Sequence, residues 1–351
     1  MRTSQHALGL LLLLASGLAM ILSLSSAGCG GSSGAAGPGG GGTSVGTSGF
    51  TQGIITRFGT VHLGNGAHER VFTVEGASLK RLDDGITHNG LSDDNTMFRV
   101  GMKVEVFHAS DSSRAREIHY MNDLEGPITA KPSATAGATF DVLGVPVLVD
   151  GETHFDDSIG GSGLTLGGLA VGNVIELSGL FDAASVFHAT FIEGRHASAA
   201  GRTFEIKGKV SNVAGTAPNQ TFQVNGVHFV MNSSTELRDL TGGLAAETFV
   251  EVKTQSTTSP FTVTRIEALS GDFESPENEV RGASKASVEG FVAGLTGASP
   301  DFSFTLSGTR VSCSSATTVG LGLVVANAHI EAEGPVSATG VIKATRITSR
   351  P

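Results

Sequence analysis

The chain has no tryptophan, one tyrosine and two cysteines, and only 16% of its 351 residues are charged. So little charge beside 49 glycines rules out a coiled coil, a highly charged disordered chain and an ordinary helical enzyme. The near absence of tyrosine and tryptophan removes the platforms on which single-stranded nucleic acid stacks, and disfavours carbohydrate for the same reason. Cys29 and Cys313 cannot build a disulfide framework, and no paired Cys or His has the spacing of a zinc site. No Gly-x-Ser-x-Gly elbow, Walker loop or dinucleotide fingerprint stands in a strand-turn-helix context. What is plentiful is glycine, phenylalanine (19) and aliphatic residues, in a length that allows two or more domains.

Arg2 is the sole charge of the first fifty residues. An apolar run from Ala7 to Leu24 follows it, then Ser25-Ser26-Ala27-Gly28-Cys29. A positive start, an apolar stretch and small residues describe a secretory signal. Ala27-Gly28-Cys29 resembles the lipobox of bacterial lipoproteins, in which the peptidase cuts before a cysteine that carries lipid; Ser26 stands where leucine is usual. The resemblance implies a signal peptide over 1–28, lipidation at Cys29 and a membrane contact through that lipid. An uncleaved anchor is the alternative, since 18 apolar residues approach the roughly 20 that span a bilayer. Residues 30–49, GGSSGAAGPGGGGTSVGTSG, lack charge, aromatics and periodicity and are expected to stay disordered. They read as a tether with an end-to-end distance of about 25 Å. Glycine rather than aspartate after Cys29 is compatible, by the same resemblance, with the outer membrane or cell surface of a Gram-negative cell.

Beyond residue 50, four blocks recur in the same order four times. A Gly-x-Val/Ile opening falls at Gly53, Gly126, Gly208 and Gly290. A Phe-x-Val/Leu-x-Gly block starts at Phe72, Phe140, Phe222 and Phe304. An aliphatic-Glu-aliphatic strand carries Glu105, Glu176, Glu251 and Glu331, and a closing block ends on Ile118, Ile192, Ile266 and Ile347. Each block alternates apolar and polar residues, the pattern of a half-buried strand, with glycine turns between. Asn225-Gly226 suits a tight hairpin turn. No stretch supports a long amphipathic helix; the best short candidate is Leu240–Leu244, before the glutamate strand. The expected architecture is all-β: four tandem small β-barrels of OB-like shape, each of five or six strands, arranged as beads on a string. The units are placed at 51–122, 123–198, 201–272 and 286–351, with 29–50 and 273–285 as linkers. A barrel this small buries only about 60% of its extended-chain surface and is marginal alone.

With these openings, hairpins, Val-Glu-Val strands and Ala-Thr-Arg-Ile endings, residues 51–351 resemble the bacterial domain of unknown function 5666 family, most strongly in the third and fourth units. The resemblance implies tandem barrels in exported proteins and lipoproteins, and brings no catalytic residue. The first unit departs most, through the insertion Leu82–Asn95.

Chemistry is sparse. Eleven histidines lie singly, and the acidic pairs Asp83-Asp84, Asp93-Asp94 and Asp156-Asp157 lack the alternating loop that encloses a cation. One glutamate per unit suggests an outward strand position, or a pair with a basic residue of the closing strand such as Arg265 or Arg346. Cys313 reads as a small buried side chain, and His228 as an outward one. Without Arg2 the chain carries 22 basic against 33 acidic residues, a net −11 that repels nucleic acid. The expectation is a non-enzymatic cell-envelope lipoprotein without cofactor: a binding, scaffold or surface-display module for an envelope protein or glycan. The alternative is a periplasmic carrier of a small ligand or metal, with sites in the barrel mouths.

Overall fold

Wherever apolar and polar residues alternate, the chain is extended. The computed structural model describes residues 48–350 apart from 65–67, 83–85, 90–96, 110–111, 131–136, 138, 158–162, 241–242, 270–279, 299–300 and 315–316. The signal segment, Cys29, most of both expected linkers and the pairs Asp83-Asp84 and Asp93-Asp94 lie outside the described residues.

The first repeat contains β1 (Ser48–Arg57), β2 (Val61–Leu63), β3 (Arg70–Phe72), β4 (Ser78–Arg81), β5 (Ile86–Asn89), β6 (Lys103–Ala109) and β7 (Ala115–Tyr120). The second has β8 (Leu124–Pro127), β9 (Thr139–Val142), β10 (Val145–Leu148), β11 (His154–Asp157), β12 (Val174–Phe181) and β13 (Phe187–His196). The third has β14 (Phe204–Thr216), β15 (Asn219–Val224), β16 (Val227–Met231), β17 (Glu236–Arg238), β18 (Phe249–Thr254) and β19 (Phe261–Ala268). The fourth has β20 (Lys285–Phe291), β21 (Ala293–Ala298), β22 (Asp301–Leu306), β23 (Thr309–Cys313), β24 (His329–Pro335), β25 (Ile342–Lys343) and β26 (Arg346–Ser349). Short 3-10 turns at Leu166–Gly168 and Leu321–Leu323 precede the glutamate strands of repeats 2 and 4.

The third repeat shows the plan. Strand β14 pairs with β15, β15 with β16, β16 with β19, β19 with β18, and β18 returns to β14. Only β16–β19 is parallel, so the five strands close in the order of an OB barrel. A bulge between Ser211 and Ala214 bends β14 so that one strand serves both halves of the ring. The turn joining β15 to β16 holds Asn225 and Gly226 at φ 49° and 82°, the left-handed pair of the expected tight hairpin. The apolar residues of each strand point inward, and Phe222, Phe229, Phe261, Val252 and Ile266 fill the core. Repeats 1, 2 and 4 close the same way, the first and second through the bridges Thr73–Arg114 and Ile128–Val142. In the fourth, β20/β21 and β25/β26 are the halves of the first and fifth strands.

Two expectations change. Phe72 lies on β3, opposite Val61 of β2, just as Phe229 of β16 lies opposite Phe222. The second-strand place in repeat 1 therefore belongs to Val61. The local Phe-x-Val-x-Gly spelling of residues 72–76 belongs to a third strand running into its turn. The barrels are also not beads on a string. β1 pairs in parallel with β20 over Gly49–Gln52 and Lys285–Val288, which joins repeats 1 and 4. β8 pairs antiparallel with β14 through Glu125–Glu205 and Leu124–Ile206, which joins repeats 2 and 3. An isolated barrel of this size would leave its first strand's outer edge open, and here a second first strand covers it.

Candidate functional site

One register relation holds in all four repeats. The residue before the opening glycine faces the strand glutamate across the sheet: Gln52 faces Glu105, Glu125 faces Glu176, Lys207 faces Glu251 and Glu289 faces Glu331. The glycines Gly53, Gly126, Gly208 and Gly290 follow on β1, β8, β14 and β20. At Gly208 an added Cβ would lie 2.7 Å from the Asn225 amide, so the first strand can touch the hairpin turn only without a side chain. The closing Ile118, Ile192, Ile266 and Ile347 are all buried inward, as are Phe140, Phe222 and Phe304.

The glutamates do point out of their own barrels, between inward-facing aliphatic neighbours. Outward does not mean solvent for two of them, which the next barrel covers. Glu176 is 0% exposed and Glu331 5%. Glu176 accepts a 2.8 Å hydrogen bond from the hydroxyl of Tyr120, the chain's one tyrosine, in repeat 1. Arg81 and Arg195 stand 3.6 Å from it. Glu331 accepts from Arg70 of repeat 1 at 2.8 Å, and Ser287 and Arg350 also bond it. Glu251 meets Lys253 at 3.0 Å and both Lys207 and Arg265 at 3.5 Å. The pairing expected of Arg265 is thus present. Arg346 instead reaches Glu333 at 3.9 Å: both arginines stand opposite the residue two beyond the strand glutamate, which is a carboxylate, Glu333, in repeat 4 and Lys253 in repeat 3.

Lys207 is the hub of the second and third repeats. It contacts Glu205 at 2.7 Å and donates to Asn122. Burial opposes its charge, but the carboxylates of Glu205 and Glu251 outweigh that and push its pKa up. Burial likewise opposes the charge of Glu205, yet Lys207 and Lys253 hold its carboxyl well below the usual range. Glu125, opposite Glu205 across the barrel junction, is pushed up to about 7 by burial and by the Glu205 charge.

The four barrels line an open cavity of about 260 Å³ where they meet. Gln52 and Glu105 of repeat 1, Phe181 of repeat 2, Phe249 of repeat 3 and Phe291 of repeat 4 are among its walls. Glu105 is the strand glutamate whose environment differs. Its Oε1 accepts from Gln52 Nε2 at 3.3 Å, and no Lys, Arg or His stands within ion-pair distance of it among the described residues. Burial pushes its carboxyl up to about 7, offset only in part by the charge of Lys103 and the Gln52 amide. Gln52 is 4% exposed, and its Oε1 has no hydrogen-bond partner among the described residues.

Elsewhere, Arg99 engages Asp156 at 2.8 Å. Cys313 is buried against the Phe302 carbonyl, with its thiol pKa raised by burial, and His228 is exposed. The residues that hold the barrels together, Gln52, Glu125, Lys207, Glu289, Tyr120, Arg70 and Arg350, were not singled out by sequence reasoning. The available signal was a polar residue at one fixed offset before every opening glycine.

The family model described as "Domain of unknown function (DUF5666)" matches residues 125–193, 207–267 and 289–348. The chain belongs to the DUF5666 family. The three matches begin at or just before the opening glycines of repeats 2, 3 and 4, so the DUF5666 unit corresponds to one barrel. Repeat 1 has the same strand order outside the matched residues. Among solved structures the chain is similar to "drosophila Unr CSD456", with 11% identity over 65% of this chain and 97% of that one, at a TM-score of 0.18. The barrel assignment rests on the strand pairings, not on that likeness. No curated protein matches the chain.

Proposed function

We propose that this DUF5666 protein is a non-enzymatic cell-envelope lipoprotein that presents four barrels, as one docked body, from a lipid on Cys29. Its task in this reading is to bind or scaffold an envelope protein or glycan. The observation that carries the reading is the sequence Ala27-Gly28-Cys29 after an apolar run, followed by twenty uncharged small residues and then by four copies of one domain. Repetition suits multivalent contact, since each added copy raises effective concentration without a new kind of interface. The glycines after Cys29 are compatible with export to the outer membrane or cell surface of a Gram-negative cell. The net charge of −11 speaks against nucleic acid as the partner.

Labelled palmitate followed into the protein in its host, with Cys29→Ala beside it and membranes fractionated, tests the tether. Label lost in the variant supports it; label absent from the wild type, with the apolar segment retained, overturns it. For the partner, the lipidated protein should retrieve an envelope protein or glycan above a control carrying only the lipidated tether.

A second reading, a carrier of a small ligand, is favoured by the cavity at the four-barrel junction. It places the site between barrels rather than in barrel mouths.

A further inference from the structure

The cavity's polar groups are unevenly satisfied. The Lys103 ammonium is bonded to Asp123, and Lys207 is engaged by Glu205, Glu251 and Asn122. Asp182, also in the wall, accepts from the backbone N–H groups of Ala184 and Val186 at 2.8 and 2.9 Å. Glu105 has only the Gln52 amide, which donates to it at 3.3 Å. A part-buried carboxylate with no cation at ion-pair distance calls for a positively charged hydrogen-bond donor. The remaining walls join the polar Lys209, Asn225, Thr305 and Ser307 to the apolar Leu82, Leu180, Phe181, Phe249 and Phe291, and Lys209 has Glu247 at 3.9 Å. The volume lies just under the roughly 300–1,000 Å³ of ordinary small-molecule pockets, which limits the occupant to a small molecule.

We infer that the four-barrel junction is a binding site for a small organic ammonium ion, with its charged head at Glu105 and its apolar body against the phenylalanines. The inference rests on the small-ligand reading and is independent of the lipid tether. The selectivity follows from the wall chemistry. An anion would meet Glu105 uncompensated, and an uncharged molecule of the same shape would leave the carboxylate without a counter-ion. The charged and titratable groups of the same cavity are Lys103 on the Glu105 strand, His119 opposite it on β7, Asp123, Asp182 from repeat 2, and Lys207 and Lys209 from repeat 3. Lys103, Lys207 and Lys209 keep their carboxylate partners, so Glu105 is the group that answers to the ligand.

The test is calorimetric titration of the full chain with benzylammonium, benzyl alcohol and benzoate, which share one ring and differ in the head group. Benzylammonium should bind one to one and raise the melting temperature saturably, benzyl alcohol at least tenfold more weakly, and benzoate not at all. Glu105→Gln and Glu105→Ala should each weaken benzylammonium at least tenfold. In the wild type, carboxyl carbon resonances should show Glu105 titrating at lower pH with benzylammonium bound, a readout that survives if either variant fails to fold. Equal binding of the three probes, unchanged affinity in the variants, or a Glu105 titration indifferent to the probe would overturn the site. If none of the three probes binds while another compound in a broad panel raises the melting temperature, the ammonium assignment falls and the small-ligand reading stands. A flat panel sinks both.

Discussion

The two strand-joined junctions use the same surface in opposite ways. Repeats 1 and 4 join their first strands in parallel over four residue pairs, whereas repeats 2 and 3 join theirs antiparallel over two. At the first, two arginines, Arg70 and Arg350, converge on Glu331. At the second, two lysines of repeat 3, Lys207 and Lys253, share Glu205 and Glu251 of the same repeat, and a glutamate from each barrel sits face to face. Strand direction is therefore free to differ. What both junctions share is the sealing of a polar row, one member before each opening glycine and one in each Val-Glu-Val strand, between barrels. The difference lies in where the cations come from: Arg70 of repeat 1 crosses to a carboxylate of repeat 4 in one case, and both lysines belong to the barrel of the carboxylates they serve in the other.

The sharpest way to break that contrast is Lys207→Met. It removes the buried cation that bonds both carboxylates and also Asn122 outside repeat 3, leaving Lys253 to serve Glu205 and Glu251, and loss of one member of such a network costs about 3 kcal/mol. Urea denaturation should show the loss, and hydrogen exchange should place it at β8 and β14. Arg350→Leu is the matching change at the other junction. With Arg70 of the neighbouring barrel still 2.8 Å from Glu331, the loss should be smaller, about 2 kcal/mol. Equal losses from the two substitutions would remove the origin of the cations as the distinction.

Glu125→Gln sharpens the comparison through pH. The carboxyl's pKa rises on folding to about 7, so the native state takes up a proton in the window between the ordinary carboxylate range and pH 7. Stability from this group accordingly falls as pH climbs through that window. The variant should match the wild type at pH 4 and exceed it by about 1–3 kcal/mol at pH 8, as read by denaturant midpoints. The smallest effect is expected at Arg346→Ala. That side chain is 56% exposed and 3.9 Å from Glu333, so the change should cost under about 0.5 kcal/mol.

Within a repeat, the fold was legible in the sequence because the determinants are local. Period-two alternation marks the strands, Asn225-Gly226 fixes a turn, and Phe222, Val252 and Ile266 identify the core face. The one misplacement, Phe72, arose where a local spelling fits two strands and only cross-strand pairing with Val61 decides. Between repeats, the sequence was read wrongly for a physical reason. A glutamate flanked by valines looks the same whether water or another barrel lies beyond it. Glu105, Glu176, Glu251 and Glu331 all looked outward, and the partners that distinguish them, Tyr120, Arg70 and Lys207, come from other repeats or neighbouring strands. The cavity was invisible for the same reason, since all four repeats contribute to it.

The parallel pairing of β1 with β20 sets a timetable for synthesis. Ser48 and Ser284, bonded to one another at the start of that pairing, are 236 residues apart. At the usual pace of about 5–20 residues per second, the earliest strand waits on the order of 10–50 s for its neighbour to leave the ribosome. During that interval repeat 1 can close as a ring but keeps a bare strand edge, the kind of surface that recruits unwanted partners. The body is finished from its last repeat backward, and its first strand is the last to be covered.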